Sequence, residues 1–133
     1  MEKQKKRILI VEDAPYMCEM IEEMLNSDEY EIADIAVNGI EAVRKYKELE
    51  PKPDIVTMDI VMEEMDGIQA TKEIKKYDPD ALIIVISALG TPEHKKAALE
   101  AGADEYLWKP FTVKNLSELF EKQLAVKKGQ GKK

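Results

Sequence analysis

Three short apolar runs limit what this chain can fold into: Arg7-Ile8-Leu9-Ile10-Val11, Ile55-Val56-Thr57-Met58 and Leu82-Ile83-Ile84-Val85-Ile86. They are rich in β-branched residues, too short for helices, and apolar on both alternating faces. A strand written this way is buried on both sides, the situation inside a parallel sheet covered by helices. Two more polar runs, Glu31–Ala36 and Glu105–Trp108, read as strands at the sheet edges.

Helical spacing fills the gaps. Met17, Met20, Ile21 and Met24 recur at i, i+3, i+4, i+7 behind Pro15, which suits a first helical turn. Ile40, Val43 and Tyr46 mark a second helix, and Ile68, Thr71 and Ile74 a third that opens at Asp66-Gly67. A fourth runs from Pro92 to Ala101, with alanines and Leu99 expected on its inner face and Gly102 as its stop. The fifth carries Val113, Leu116, Phe120 and Leu124. These methionine and leucine stripes are read as core. The order is β-α five times over, which predicts an α/β fold with a parallel sheet and helices on both faces. With the two polar strands outermost, the strand order is 2-1-3-4-5, a flavodoxin-like (βα)5 architecture. The expected layout is a basic N-terminal tail over 1–6, one domain over 7–126 and a flexible basic tail over 127–133.

Composition narrows the function. At 44% apolar residues the chain can fill a core. No apolar run approaches the ~20 residues that span a bilayer, and the charged N-terminus resembles no secretory signal. A single cysteine, Cys18, excludes an internal disulfide and a multi-cysteine zinc site. These features predict a cytoplasmic protein without membrane attachment. The net charge is −7, yet residues 1–7 contribute +3 and residues 127–133 contribute +4, so the body between them carries −14. Such a body is a poor ligand for nucleic acid, and the basic ends read as solvated tails.

Ligands of open parallel sheets bind beyond the carboxyl ends of the strands, where strand order reverses. Here that crevice lies between the first strand, ending in Glu12-Asp13, and the third, ending in Asp59. Taken singly, Glu12 and Asp13 could complement a helix dipole and Asp59 could start a turn. Together they form a site whose mutual repulsion calls for a cation, and Mg²⁺ suits a few carboxylates with retained waters. Ser87 ends the fourth strand and Lys109 follows the fifth, so a hydroxyl and an ammonium face the same rim and could hold the oxygens of an anion on Asp59. The only histidine, His94, follows no nucleophile-elbow pattern and reads as solvent-facing.

The segments Ile8–Asp13, Val56–Ile60, Met65-Asp66-Gly67, Ser87-Ala88, Ala101-Gly102-Ala103 and Lys109-Pro110-Phe111, in this order and spacing, resemble the receiver domains of two-component response regulators, most of all the single-domain CheY-like ones. The resemblance runs from about Arg7 to about Ala125. It implies a phosphoacceptor at Asp59, Mg²⁺ held by Glu12, Asp13, Asp59 and the backbone carbonyl of Val61, and phosphoryl contacts from Ser87 and Lys109. It implies a cis peptide before Pro110, and a switch in which Ser87 moves toward the phosphoryl group while Tyr106 packs inward. The partners implied are a sensor histidine kinase and a target that docks on the face of helix four, strand five and helix five. The chain is then a monomeric stand-alone signalling switch, catalysing only its own phosphorylation and dephosphorylation, with a role in chemotaxis or motility. A phosphorelay intermediate and a metal-dependent aspartyl phosphatase are the alternatives; the second needs a proton donor two residues past Asp59, where Val61 stands. No G-x-x-x-x-G-K-[ST] or G-x-G-x-x-G segment supports nucleotide binding.

Two features bear on how the site would behave beside the family pattern. Glu63 stands where a proline is usual, which bears on loop shape and metal affinity. Val61 and Leu89, two residues past Asp59 and Ser87, are apolar and cannot orient an attacking water, so slow self-dephosphorylation is expected. Trp108 shares the strand parity of Tyr106 and suits either a docking surface or a cover for helix packing.

Overall fold

The structure, a computed structural model, describes residues 5–25, 27–62 and 65–131, with the backbone alone over 127–131. The strands β1 (Lys6–Val11), β2 (Tyr30–Ala36), β3 (Ile55–Met58), β4 (Ile83–Ser87) and β5 (Glu105–Trp108) alternate with the helices α1 (Pro15–Leu25), α2 (Gly39–Glu48), α3 (Gly67–Tyr77), α4 (Pro92–Glu100) and α5 (Val113–Gly131). Every strand pair is parallel, in the order β2-β1-β3-β4-β5. This is the flavodoxin-like (βα)5 sheet that the strand composition predicts, with the two polar strands at the edges.

Double-faced burial explains the apolar runs. Leu9, Val11, Val56, Met58, Ile83 and Val85 share one core with Ala42 and Tyr46 of α2, Ala70 and Ile74 of α3, and Ala98 of α4. The alternate residues Ile8, Ile10, Ile55, Ile84 and Ile86 share a second core with Ile21 and Leu25 of α1 and Leu116 and Phe120 of α5. Each fully buried large side chain contributes about 1.5–3 kcal/mol, so β1, β3 and β4 form the rigid floor from which the loops rise.

The helices depart from expectation in detail. The buried stripe of α1 is Cys18, Ile21 and Leu25. Met20 is exposed, because the helix faces the sheet through Cys18, and Met17 lies at the margin of the core. In α2, Gly39, Ala42 and Tyr46 face inward and Ile40 is exposed. In α4 only Ala98 is buried and Leu99 points to solvent, so its inner face is thinner than the sequence pattern suggests. Gly102, at φ +113°, turns the chain out of α4 in a conformation that favours glycine. Lys6 already pairs with Tyr30 in the sheet. The backbone over 127–131 continues α5, since Lys127 and Lys128 are good helix formers and no proline stops the helix. Glu63 lies outside the described residues.

The edge strand β2 is closed to further pairing along part of its length. Its register against β1 slips at Ile8/Leu9, leaving Ala33 as an extra residue that bends the strand. Beyond the slip, the Ile35 N–H donates to Asp34 Oδ1 at 2.8 Å, and Lys45 Nζ donates to the Ile35 carbonyl at 2.5 Å. Lys45 also reaches Asp34 Oδ1 at 3.2 Å. Capped edge groups give an incoming strand nothing to pair with. Asp34→Ala combined with Lys45→Ala is expected to produce concentration-dependent self-association in sedimentation velocity; a double variant that sediments like the wild type counts against this role.

Candidate functional site

Ladder hydrogen bonds carry the site residues to the carboxyl ends of the strands. The Asp59 N–H donates to the Val11 carbonyl at 3.0 Å, the Glu12 N–H to the Ala36 carbonyl at 2.9 Å, and the Lys109 N–H to the Ser87 carbonyl at 2.9 Å. Each of these residues thus sits one step past its strand, fixed by the sheet but free of the core. The peptide between Lys109 and Pro110 is cis.

The structure brings Glu12, Asp13 and Asp59 together, each offering a carboxylate oxygen, with all of these atoms within 4.8 Å of one another. Glu12 and Asp59 are buried and Asp13 is exposed at the mouth. Lys109 closes the cluster: its Nζ lies 2.8 Å from Glu12 Oε1 and 3.6 Å from Asp59 Oδ1. The second Glu12 oxygen accepts the Ala14 N–H at 3.2 Å, and Asp59 Oδ1 accepts the Ile60 N–H at 3.0 Å. Three carboxylates against one ammonium leave the site short of positive charge. An all-oxygen set at this spacing fits a hard divalent cation such as Mg²⁺. Val61 is 60% exposed beside it.

Electrostatics follow the geometry. Burial, then the charge of Glu12, pushes the Asp59 carboxyl up to about 6 despite the opposing pull of Lys109. Asp13 is also raised, by burial and then by Glu12. For Lys109, burial acts to lower the pKa, but the hydrogen bond to Glu12 and the charges of Asp59 and Glu12 outweigh it and raise the ammonium above its usual range.

Ser87 is buried at the end of β4, and its Oγ accepts the Leu89 N–H at 3.1 Å. Tyr106 is packed inward, and its hydroxyl donates to the Leu89 carbonyl. The two switch candidates therefore grip one loop residue from opposite sides, a link the sequence does not announce. Sequence reasoning also passes over Cys18, whose thiol donates to the Glu12 carbonyl at 3.2 Å, and Gly67, where a Cβ would lie 1.9 Å from the Asp59 carbonyl oxygen. An Asp-Gly pair at a helix start signals only the cap that Asp66 makes to the Gln69 N–H. His94, read as solvent-facing, is half-buried and bonded to the Thr91 hydroxyl.

The chain is similar to known proteins over most of its length. The pattern that defines the response regulator receiver domain matches residues 8–121. The chain belongs to that family. It is 51% identical to the chemotaxis protein CheY of Thermotoga maritima over 117 residues, covering 88% of this chain and 96% of that protein. The CheX-CheY-BeF3-Mg complex from Borrelia burgdorferi contains a chain 37% identical, with a TM-score of 0.81 over 85% of this chain and 84% of that one. The receiver domain of the sensor histidine kinase PA1611 from Pseudomonas aeruginosa has a magnesium ion coordinated in its active site cleft; it is 31% identical, with a TM-score of 0.82 over 92% of this chain and 99% of that one.

The raised Asp59 predicts a pH signature. Between pH 3.8 and about 6 the folded state keeps a proton that the unfolded state releases, so stability from this group falls as pH rises and the full cost stands above about 6. In metal-free buffer, Asp59→Asn is expected to stabilise the fold by roughly 1–3 kcal/mol at pH 7.5 in urea unfolding. The gain should fade toward pH 4; a pH-independent difference would contradict the assignment.

Proposed function

We propose that this chain is a phosphorylation switch in which Asp59 accepts a phosphoryl group from a phosphohistidine of a sensor histidine kinase. The observation that carries the reading is the convergence of Glu12, Asp13, Asp59 and Lys109 within one crevice. An Asp59 carboxylate oxygen attacks phosphorus; the O–P bond forms as the N–P bond to the imidazole breaks. With a carboxyl near pH 6, most Asp59 is ionised at neutral pH and able to attack. Glu12, Asp13, Asp59 and the carbonyl of Val61 would hold Mg²⁺, which supplies neutralising charge to the carboxylates and the phosphoryl oxygens. Lys109 is placed to pair with a second phosphoryl oxygen, and Ser87 to hydrogen-bond a third.

The signal would leave through the face of α4, β5 and α5. Leu99, Trp108 and Val113 are all more than 40% exposed there, and Pro92, Lys95 and Lys96 line a cleft beside Leu99. Exposure of Trp108 supports the docking role over the packing role. Thin packing of α4, through Ala98 alone, suits an element that a local charge event can bias. The likeness to CheY proteins supports chemotaxis as the pathway. Tyr106 already packs inward here, its hydroxyl bonded to the Leu89 carbonyl, so the movement left for phosphorylation to drive would be that of Ser87.

Acetyl phosphate with Mg²⁺ is expected to add one phosphoryl mass to the wild type, measured by mass spectrometry, and none to Asp59→Asn or to wild type in chelator. Modification of Asp59→Asn would refute the assignment. Val61 and Leu89 are apolar and cannot themselves orient water at the phosphoryl, so Val61→Asn is expected to shorten the phosphoryl lifetime; an unchanged decay would reject the explanation.

A further inference from the structure

The loop after β3 is tied to a part of the molecule that touches none of the carboxylates. Gly39, the first residue of α2, donates its N–H to the Met65 carbonyl at 2.9 Å. First-turn N–H groups of a helix have no partner inside the helix, and this one is satisfied by the loop. The approach is close: a Cβ on Gly39 would lie 2.3 Å from the Met65 carbonyl oxygen and 2.7 Å from Met65 Cβ and Cγ. The nearest obstacle is backbone, so a side chain at position 39 displaces the loop itself. A short way on, the Gly67 N–H donates to the Ile60 carbonyl at 2.9 Å, and Gly67 lies against the Asp59 carbonyl oxygen. Asp59, Ile60, Met65 and Gly67 are thus held at both ends of one loop.

We infer that the first turn of α2 is a clamp on the Asp59 loop, with Gly39 as a positioning residue for the carboxylate of Asp59 and the carbonyl of Val61. The inference rests on the proposed Mg²⁺ site and assigns a new participant to it. Met65 lies two residues before Gly67, whose N–H bonds the Ile60 carbonyl and whose backbone lies against the Asp59 carbonyl oxygen, so pushing Met65 away from α2 disturbs the contact that positions Asp59 and the residues after it. Asn38 offers a matched control. It caps α2 by accepting the Glu41 N–H at 2.8 Å, and its removal weakens the same helix end without crowding Met65.

The test is a Mg²⁺ titration of wild type, Gly39→Ala and Asn38→Ala, followed by the backbone amide signals of Asp59, Ile60 and Gly67, with urea midpoints measured alongside. Displacing a supporting group typically costs tenfold or more in metal affinity, so Gly39→Ala is expected to bind Mg²⁺ about tenfold more weakly and Asn38→Ala within about twofold of wild type. Equal affinities for wild type and Gly39→Ala overturn the clamp while leaving the metal site standing, as does an equal loss in both variants at equal urea shifts. A wild type that shows no saturable Mg²⁺ binding overturns the metal reading and the clamp with it. Should Gly39→Ala not fold, hydrogen exchange of the wild-type Gly39 amide decides: slower exchange with Mg²⁺ and beryllofluoride supports the clamp, and unchanged exchange overturns it.

Discussion

The pairing of one ammonium with a crowd of carboxylates organises this molecule. Like charges a few ångströms apart repel by about 4 kcal/mol even at an effective dielectric near 20. Glu12 and Asp59 nevertheless sit buried side by side. Lys109 makes this tolerable, bonded to Glu12 and within 3.6 Å of Asp59. It reaches them from the far end of the sheet, across β4. The site therefore exists only when β1, β3 and β5 stand in register, and the double-faced burial of the central strands guarantees that register.

The same charge shortage explains how the site can act as a switch. A group that adds negative charge at Asp59 would compete with Glu12 for Lys109, and the Ser87 hydroxyl stands at the end of the neighbouring strand β4. Ser87 and Tyr106 share Leu89, one through its N–H and the other through its carbonyl. Movement of either side chain is then felt by the loop leading into α4, the helix with the least apolar anchoring. Strength at the sheet and weakness at α4 are complementary requirements.

Much of this was legible in the residues. Period-two burial on both faces of Ile8–Val11, Ile55–Met58 and Ile83–Ile86 is a strong signal, because few other environments accept β-branched residues on both sides. Glu12, Asp13 and Asp59 could be placed together because strand order alone puts their strand ends side by side. Helix faces were less legible. A methionine at Met20 and a leucine at Leu99 satisfy helical spacing as well as a buried residue does, and only the packing of Cys18 or Ala98 shows which way the helix is turned. Backbone contacts were not legible at all. Nothing in the letters of Gly39 or Gly67 tells which carbonyl lies against them, and the role of Leu89 is carried by its peptide groups rather than its side chain.

The capped edge at Ile35 has a consequence for how this protein can meet others. With those main-chain groups already occupied by Asp34 and Lys45, this stretch of sheet cannot be extended by a guest strand. Contacts made at that end therefore have to come from side chains on helices and loops rather than from a sheet shared with another chain.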